Sequence, residues 1–216
     1  QPFDGGIPAF SIVNTARDEA YRIEKQIVTD PTRASVLQQV TFTPIKGTVG
    51  DYRVTALLAP HLVNAGKLNS AWIGELEGRQ VLFASGRSRY LALVSDTPWQ
   101  AVSAGFVGFS DGWQQLQKSG RLIEQYSRAD DGNVALAGEI GFTAKHRTVT
   151  LALGFGQTEH EAAACATRSL KDGFGRAHEH YVSNWRGWQD TLQPLDRDTH
   201  DGINAYRVST AVLASH

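Results

Sequence analysis

The chain has 216 residues, 41% hydrophobic and 20% charged, with a net charge of −1. These values describe an ordinary globular chain, long enough to bury a sizeable core in one or two domains. Near-neutral charge without a basic stripe argues against nucleic acid or an anionic membrane as partner, and no apolar run nears the ~20 residues that span a bilayer.

Residues 21–28 (YRIEKQIV) alternate apolar and polar and read as a strand. Asp30-Pro31-Thr32-Arg33 follows as a turn, and residues 35–43 (SVLQQVTFT) form the return strand. Residues 50–59 read as another strand, with Tyr52, Val54, Ala56 and Leu58 on one side. Residues 70–76, 80–84 and 90–94 continue the series, separated by short Gly-containing connections. Residues 133–142 and 147–155 are expected to form a late pair. About ten short strands at this spacing predict packed antiparallel sheets, not βαβ units. One interruption, residues 110–118, opens with a capping residue, lacks β-branched residues and predicts a short helix.

The composition changes after Gly156. Thr158 and Glu161 have capping-box spacing, and an Ala-rich helix follows, with Gly173 at its end or at a kink. Phe174, Ala177, His178, Tyr181, Trp185, Trp188 and Leu192 make one apolar helical stripe, which Pro194 closes. Asp196 or Asp198 is then expected to cap a further helix. The chain contains no Met, starts at Gln1 and stops inside that helical run at His216, so it is expected to be part of a larger polypeptide.

Few residues announce chemistry. Cys165 cannot form an internal disulfide, and its Ala-rich neighbourhood predicts a buried structural thiol. The carboxylates of the β region fall mostly at turns, and the sequence singles out no acid–base pair. His178 and His180 point about 200° apart on a helix, so no metal is expected there. Asp130-Asp131-Gly132-Asn133 reads as a hairpin turn before an ion loop. Residues 108–112 spell Gly-x-Ser-x-Gly, but not within the strand–turn–helix of a parallel sheet that a nucleophile elbow needs. Gly154-Phe155-Gly156 is too short for a phosphate loop. The five Trp residues admit two readings, core or interface filling and stacking on sugar rings.

Seven ordered segments carry a resemblance: residues 21–31, 57–64, 69–74, 105–113 (GFVGFSDGW), 151–156, 181–185 (YVSNW) and 206–216. Together they resemble bacterial glucoamylases and glucodextranases of glycoside hydrolase family 15. The resemblance implies a mainly β fold: an antiparallel β-sandwich at residues 1–156, incomplete because N-terminal strands are missing. A helical linker at residues 157–197 and the truncated first helix of an (α/α)6 catalytic domain at residues 198–216 would follow. It implies a parent enzyme releasing glucose from the non-reducing ends of α-glucans with inversion, without a cofactor. The family's two catalytic Glu residues lie in the barrel, and no Glu of this chain matches either. Partners are then the barrel and the α-glucan. Rim candidates are His61, Asn64, Asn69 and Trp72 in one loop-flanked region and Asp111 and Trp113 in another, while Trp185 and Trp188 are expected at a domain interface. The alternative is a stand-alone carbohydrate-binding module.

Overall fold

The computed structural model describes residues 6–195 and 204–215. In chain order its strands and helices are β1 (Phe10–Thr15), β2 (Tyr21–Thr29), β3 (Ser35–Pro44), β4 (Thr55–Leu58), β5 (Asn69–Leu76), β6 (Arg79–Gly86), β7 (Arg89–Ser95), β8 (Ala101–Phe106), α1 (Gly112–Ser119), β9 (Arg128–Gly132), β10 (Val134–Glu139), β11 (Thr148–Gly156), α2 (Glu159–Asp172), α3 (Phe174–Gln189) and α4 (Ala205–Ala214). Among the described residues the strands form two antiparallel sheets. The larger has eight strands in the order β1-β2-β3-β11-β7-β6-β5-β9, and the smaller has three, β4-β10-β8.

Local sequence explains the hairpins. In β2 and β3, Ile23 pairs with Phe42 and Val28 with Leu37 across the register. The connecting turn is tied by Asp30, whose backbone N–H donates to Ser35 O at 2.9 Å. The β5–β6–β7 meander follows chain order because tight turns force neighbours to pair.

Alternation then builds two cores on opposite faces of the large sheet. Val40, Leu82, Ala84, Leu91, Leu93, Val149 and Leu151 face Val102, Ala104, Val134 and Leu136 of the small sheet, forming the sandwich interior. Leu37, Val81, Phe83, Ala92, Val94 and Ala152 point the other way, onto Ala162, Ala163 and Ala166 of α2 and Phe174, Ala177 and Val182 of α3. Small side chains let α2 lie close on β11. A Cβ built on Gly154 would stand 2.2 Å from Ala162 O, so only Gly fits at that contact. This is the physical role of the Gly154-Phe155-Gly156 run. Thr158 caps α2, its side chain accepting from Glu161 N at 3.1 Å.

Several expectations are corrected. Residues 133–142 and 147–155 do not pair. β10 lies in the small sheet, whereas β11 lies between β3 and β7 in the large one. Residues 130–133 are accordingly not a hairpin turn: Asp130, Asp131 and Gly132 end β9 in the large sheet, and Asn133 leads across to β10 in the small one. The expected strand over 50–59 shortens to Thr55–Leu58, preceded by a 3-10 turn at Val49–Asp51. β8 gives a weak sequence signal because in AVSAGF only Val102 and Phe106 are strand formers, set among Ala, Ser and Gly. Cys165 is half-buried, not buried. Asp196 and Asp198 lie outside the described residues; α4 starts at Ala205, with Asn204 as its N-cap accepting from Arg207 N at 3.0 Å.

The helices expected as a linker form a third layer. The stripe of α3 packs on the chain's own large sheet, with Tyr181 and Trp185 against the helix–sheet core. Tyr181 also donates its hydroxyl to Pro8 O at 3.1 Å. Trp188 meets Trp185 edge-on at 5.4 Å between centroids. Asn184, Trp185, Trp188 and Ala214 line a shallow groove between α3 and α4.

Candidate functional site

Three connections converge at one end of the sandwich: β4 to β5, β8 to α1, and β9 to β10. Asn133, in the last of these, joins the other two. Its backbone carbonyl accepts from Val107 N at 2.8 Å, and its Oδ1 lies 3.2 Å from His61 Nε2. The Phe106 ring covers Gly132, where a Cβ would stand 2.7 Å from its edge. The structure thus brings His61 and the loop before α1 together, although 72 residues separate His61 from Asn133 in sequence.

The first loop has unusual backbone. His61, Val63, Asn64 and Leu68 all have positive φ, between 38° and 60°. Such angles are rare outside glycine and costly for a β-branched residue such as Val63. Asn69 holds the loop in place. Its Oδ1 accepts from Leu62 N at 3.1 Å, while Nδ2 donates to Ala65 O at 2.6 Å and Lys67 O at 3.2 Å. Asn69 is 1% exposed. Its side chain therefore organises the loop from below, while His61 and Asn64 are exposed.

The second loop is built in the same way. Asp111 is 4% exposed and caps α1, Oδ1 accepting from Gln114 N at 3.0 Å and Oδ2 from Gly108 N. The turn places Phe109 outside with 88% exposure, and the first turn of α1 leaves Trp113 54% exposed. Asp111 is thus a positioning group, whereas Trp113 presents its ring to solvent. Phe109 was not singled out from sequence; its place in a tight glycine-flanked turn was the available signal.

Trp72 is separated from this cluster. It lies on the face of the large sheet that carries α2 and α3, while α1 packs outside the small sheet, against Ala137 and Leu57. Its ring stacks on Phe83 of β6, with centroids 5.4 Å apart and planes at 16°, and the Arg128 guanidinium of β9 lies 5.4 Å from its centroid. β6 and β9 flank β5 on opposite sides, so both faces of the indole are covered.

The carboxylates most removed from water have structural partners. Asp30 accepts from Thr32 N at 2.8 Å, Thr32 Oγ1 at 2.7 Å, Arg33 Nη1 at 2.9 Å and Ser169 Oγ at 2.7 Å. Burial alone would push its carboxyl up; the hydrogen bonds from Ser169, Thr32 and Arg33 outweigh that and hold its pKa at about 2. Arg33 also bridges to Asp172 at 2.7 Å, tying the β2–β3 turn to the end of α2. Glu139 pairs with Arg53 at 2.6 Å. Among the described residues no group of three or more His, Cys, Asp or Glu is placed to hold a metal ion.

Known proteins share this fold. The family described as "Glucodextranase, domain N" matches residues 1–190. A glucoamylase of Clostridium sp. (strain G0005) is 27% identical over 183 residues, 85% of this chain and 26% of that protein. The crystal structure of a bacterial glucoamylase complexed with acarbose superposes with a TM-score of 0.92 and 26% identity, over 99% of this chain and 31% of that one. An inverting mannosidase of family GH92 from Bacteroides thetaiotaomicron shares the fold alone, with a TM-score of 0.62 and 10% identity over 93% of this chain and 25% of the mannosidase. The chain spans about a quarter to a third of the length of these proteins.

Proposed function

Because the chain belongs to the glucodextranase N-domain family, we propose that it is the non-catalytic N-terminal portion of a glucoamylase-like glycoside hydrolase. The parent releases glucose from non-reducing ends of α-glucans with inversion. One Glu of its catalytic portion protonates the leaving oxygen and another activates water on the opposite face, with carboxyls ~6.5–9.5 Å apart. The sandwich scaffolds that portion, and the cluster of His61, Asn64, Phe109 and Trp113 faces it and shapes the rim of its pocket. The observation that supports a non-catalytic role is the commitment of buried carboxylates. Asp30, Asp111 and Glu139 are each engaged by structural donors, so none is held ready for proton transfer.

The test compares the full-length polypeptide with the 216-residue chain on maltose, dextran and trehalose, with NMR reading the anomer first released. Glucose is expected from the full-length protein as the β-anomer and not from the shorter chain. Hydrolysis by the 216-residue chain alone would overturn the reading.

A second reading rests on the exposure of Phe109 and Trp113. As a stand-alone carbohydrate-binding module the chain would stack α-glucan on these rings. Binding by the isolated chain that Trp113→Ala abolishes would favour it; absence of binding would remove it.

A further inference from the structure

At the end of the sandwich opposite the loop cluster lies a cavity of about 360 Å³. Two segments build it: the turn from β5 to β6, and the connection from β7 in the large sheet to β8 in the small one. Both are held firmly. Glu77 and Gly78 have φ of 52° and 75°, positive at both positions as in a type I′ turn, and Leu76 pairs with Arg79 across it. Asp96 is clasped to β11. Its N–H donates to Thr150 O at 3.0 Å, and its Oδ2 accepts from Thr150 N at 2.9 Å.

The lining carries opposite charges that do not meet. Arg79 Nη1 donates to Ser95 O at 2.6 Å, which leaves its other N–H groups for a further acceptor. Neither Glu77 nor Asp96 forms an ion pair with Arg79, although all three line the same cavity. One Asp96 oxygen is on Thr150, and the Glu77 carboxylate has no partner among the described residues. Trp99 closes the wall. Its six-membered ring lies over Gly138 of β10, where a Cβ would stand 2.6 Å from Cε3. Its Nε1 is buried and has no acceptor among the described residues, which is rare for a buried donor.

We propose that this cavity binds a glucose unit of the α-glucan, as a second carbohydrate site remote from the loop cluster. The lining chemistry selects the ligand. A simple anion meets two carboxylates, and a simple cation meets the Arg79 guanidinium. An apolar ligand would strip water from all three charges and offer no partner in return. A neutral molecule with several hydroxyls satisfies each of them, since a hydroxyl donates to Glu77 or Asp96 and accepts from Arg79 or Trp99 Nε1. The volume sits near the lower end of the ~300–1,000 Å³ typical of ligand pockets and suits about one sugar ring. The half-buried Trp99 indole adds an apolar surface for the C–H groups of that ring. Phe109 and Trp113 lie at the other end of the sandwich, so the two places act independently. The choice of α-glucan among hydroxyl-rich ligands rests on the proposed function; the site itself does not.

The test titrates the full-length polypeptide calorimetrically with β-cyclodextrin, a closed ring of α-linked glucose that offers no non-reducing end. Glucose release from maltose is followed in the same preparations. Asp96→Asn keeps an acceptor oxygen for Thr150 N but puts an NH2 in place of the other oxygen. Trp99→Phe keeps a ring near Gly138 without the N–H. The expected result is binding by the wild type that weakens at least ~tenfold in each variant, as for loss of a hydrogen bond to a charged group or of an indole donor, while maltose hydrolysis is unchanged. Where Trp99→Phe fails to fold, Glu77→Gln on the exposed turn takes its place. No binding by the wild type overturns the inference, and so does binding that Asp96→Asn and Glu77→Gln leave unchanged. Maltose hydrolysis without cyclodextrin binding removes the second site and leaves the proposed function standing. Binding that the variants lose, in a polypeptide that releases no glucose, keeps the site and removes the proposed function.

Discussion

Asp30→Asn tests how the turn after β2 is fastened to α2. The Asp30 carboxylate is 8% exposed and accepts four hydrogen bonds, two at each oxygen. An Asn amide keeps one acceptor oxygen for Thr32 but directs an NH2 at the Arg33 guanidinium, which has no acceptor. Ser169 can turn its hydroxyl to compensate; Arg33 cannot. The magnitude follows in two ways. A pKa held at about 2 instead of 3.8 corresponds to about 2 kcal/mol between the charged and neutral forms. Independently, loss of a hydrogen bond to a charged partner costs ~1.5–3 kcal/mol. The sign is set by the depressed pKa. The contribution is fully present above the unfolded value near 3.8 and is lost as pH falls through the folded value near 2. Wild type should therefore exceed the variant by about 2 kcal/mol at pH 6, with the gap narrowing as pH falls from 4 toward 2. Native-state amide exchange of β2, β3 and α2 in the full-length polypeptide, corrected for intrinsic rates, reads this opening free energy. A gap that stays constant between pH 6 and pH 2.5, or no gap at pH 6, refutes the reasoning.

The other predictions concern packing and the loop cluster. Gly154→Ala drives a methyl into the α2 backbone, 2.2 Å from Ala162 O, and should cost at least ~2 kcal/mol, a fall of roughly 4–8 °C in calorimetric midpoint. Gly175→Ala, exposed on α3 with nothing within 4 Å of its Cβ, should instead stabilise by roughly 0.5–1 kcal/mol; a Gly154→Ala variant as stable as wild type or more so would mean that α2 does not press on β11. Trp72→Ala should lower the midpoint by the equivalent of about 2 kcal/mol, whereas Trp113→Ala should change stability by less than ~0.5 kcal/mol, since only the first ring is covered on both faces. Asp111→Ala removes the cap of α1 and the bond to Gly108 N; a loss of ~1 kcal/mol with faster exchange at Gln114 is expected, and unchanged exchange there would refute the capping role.

The sandwich, its helices and most of its hairpins were legible in the amino-acid sequence, because those features are local. Alternation in residues 21–28 and 35–43 sets which side chains share a face, and the tight Asp30–Arg33 turn forces the two strands to pair. Thr158, Gly173 and the apolar spacing of residues 174–192 mark α2 and α3 by the chemistry of helix ends and periodicity. The run of segments from Tyr21 to Trp185 likewise pointed to the family, since it needs only order along the chain.

Tertiary structure decided what depends on distant partners. Period-two patterning states that β10 and β11 are strands but not which neighbours they take, and they go to different sheets. Periodicity gave α3 an apolar stripe; packing put that stripe on the chain's own sheet. The same holds at the loop cluster. Asn69, Asp111 and Trp72 are residue types that suit a sugar site, yet burial and partners make two of them loop organisers and cover the third. His61 meets the turn before α1 through Asn133 because two sheets bring three connections to one end, a proximity that no local preference encodes.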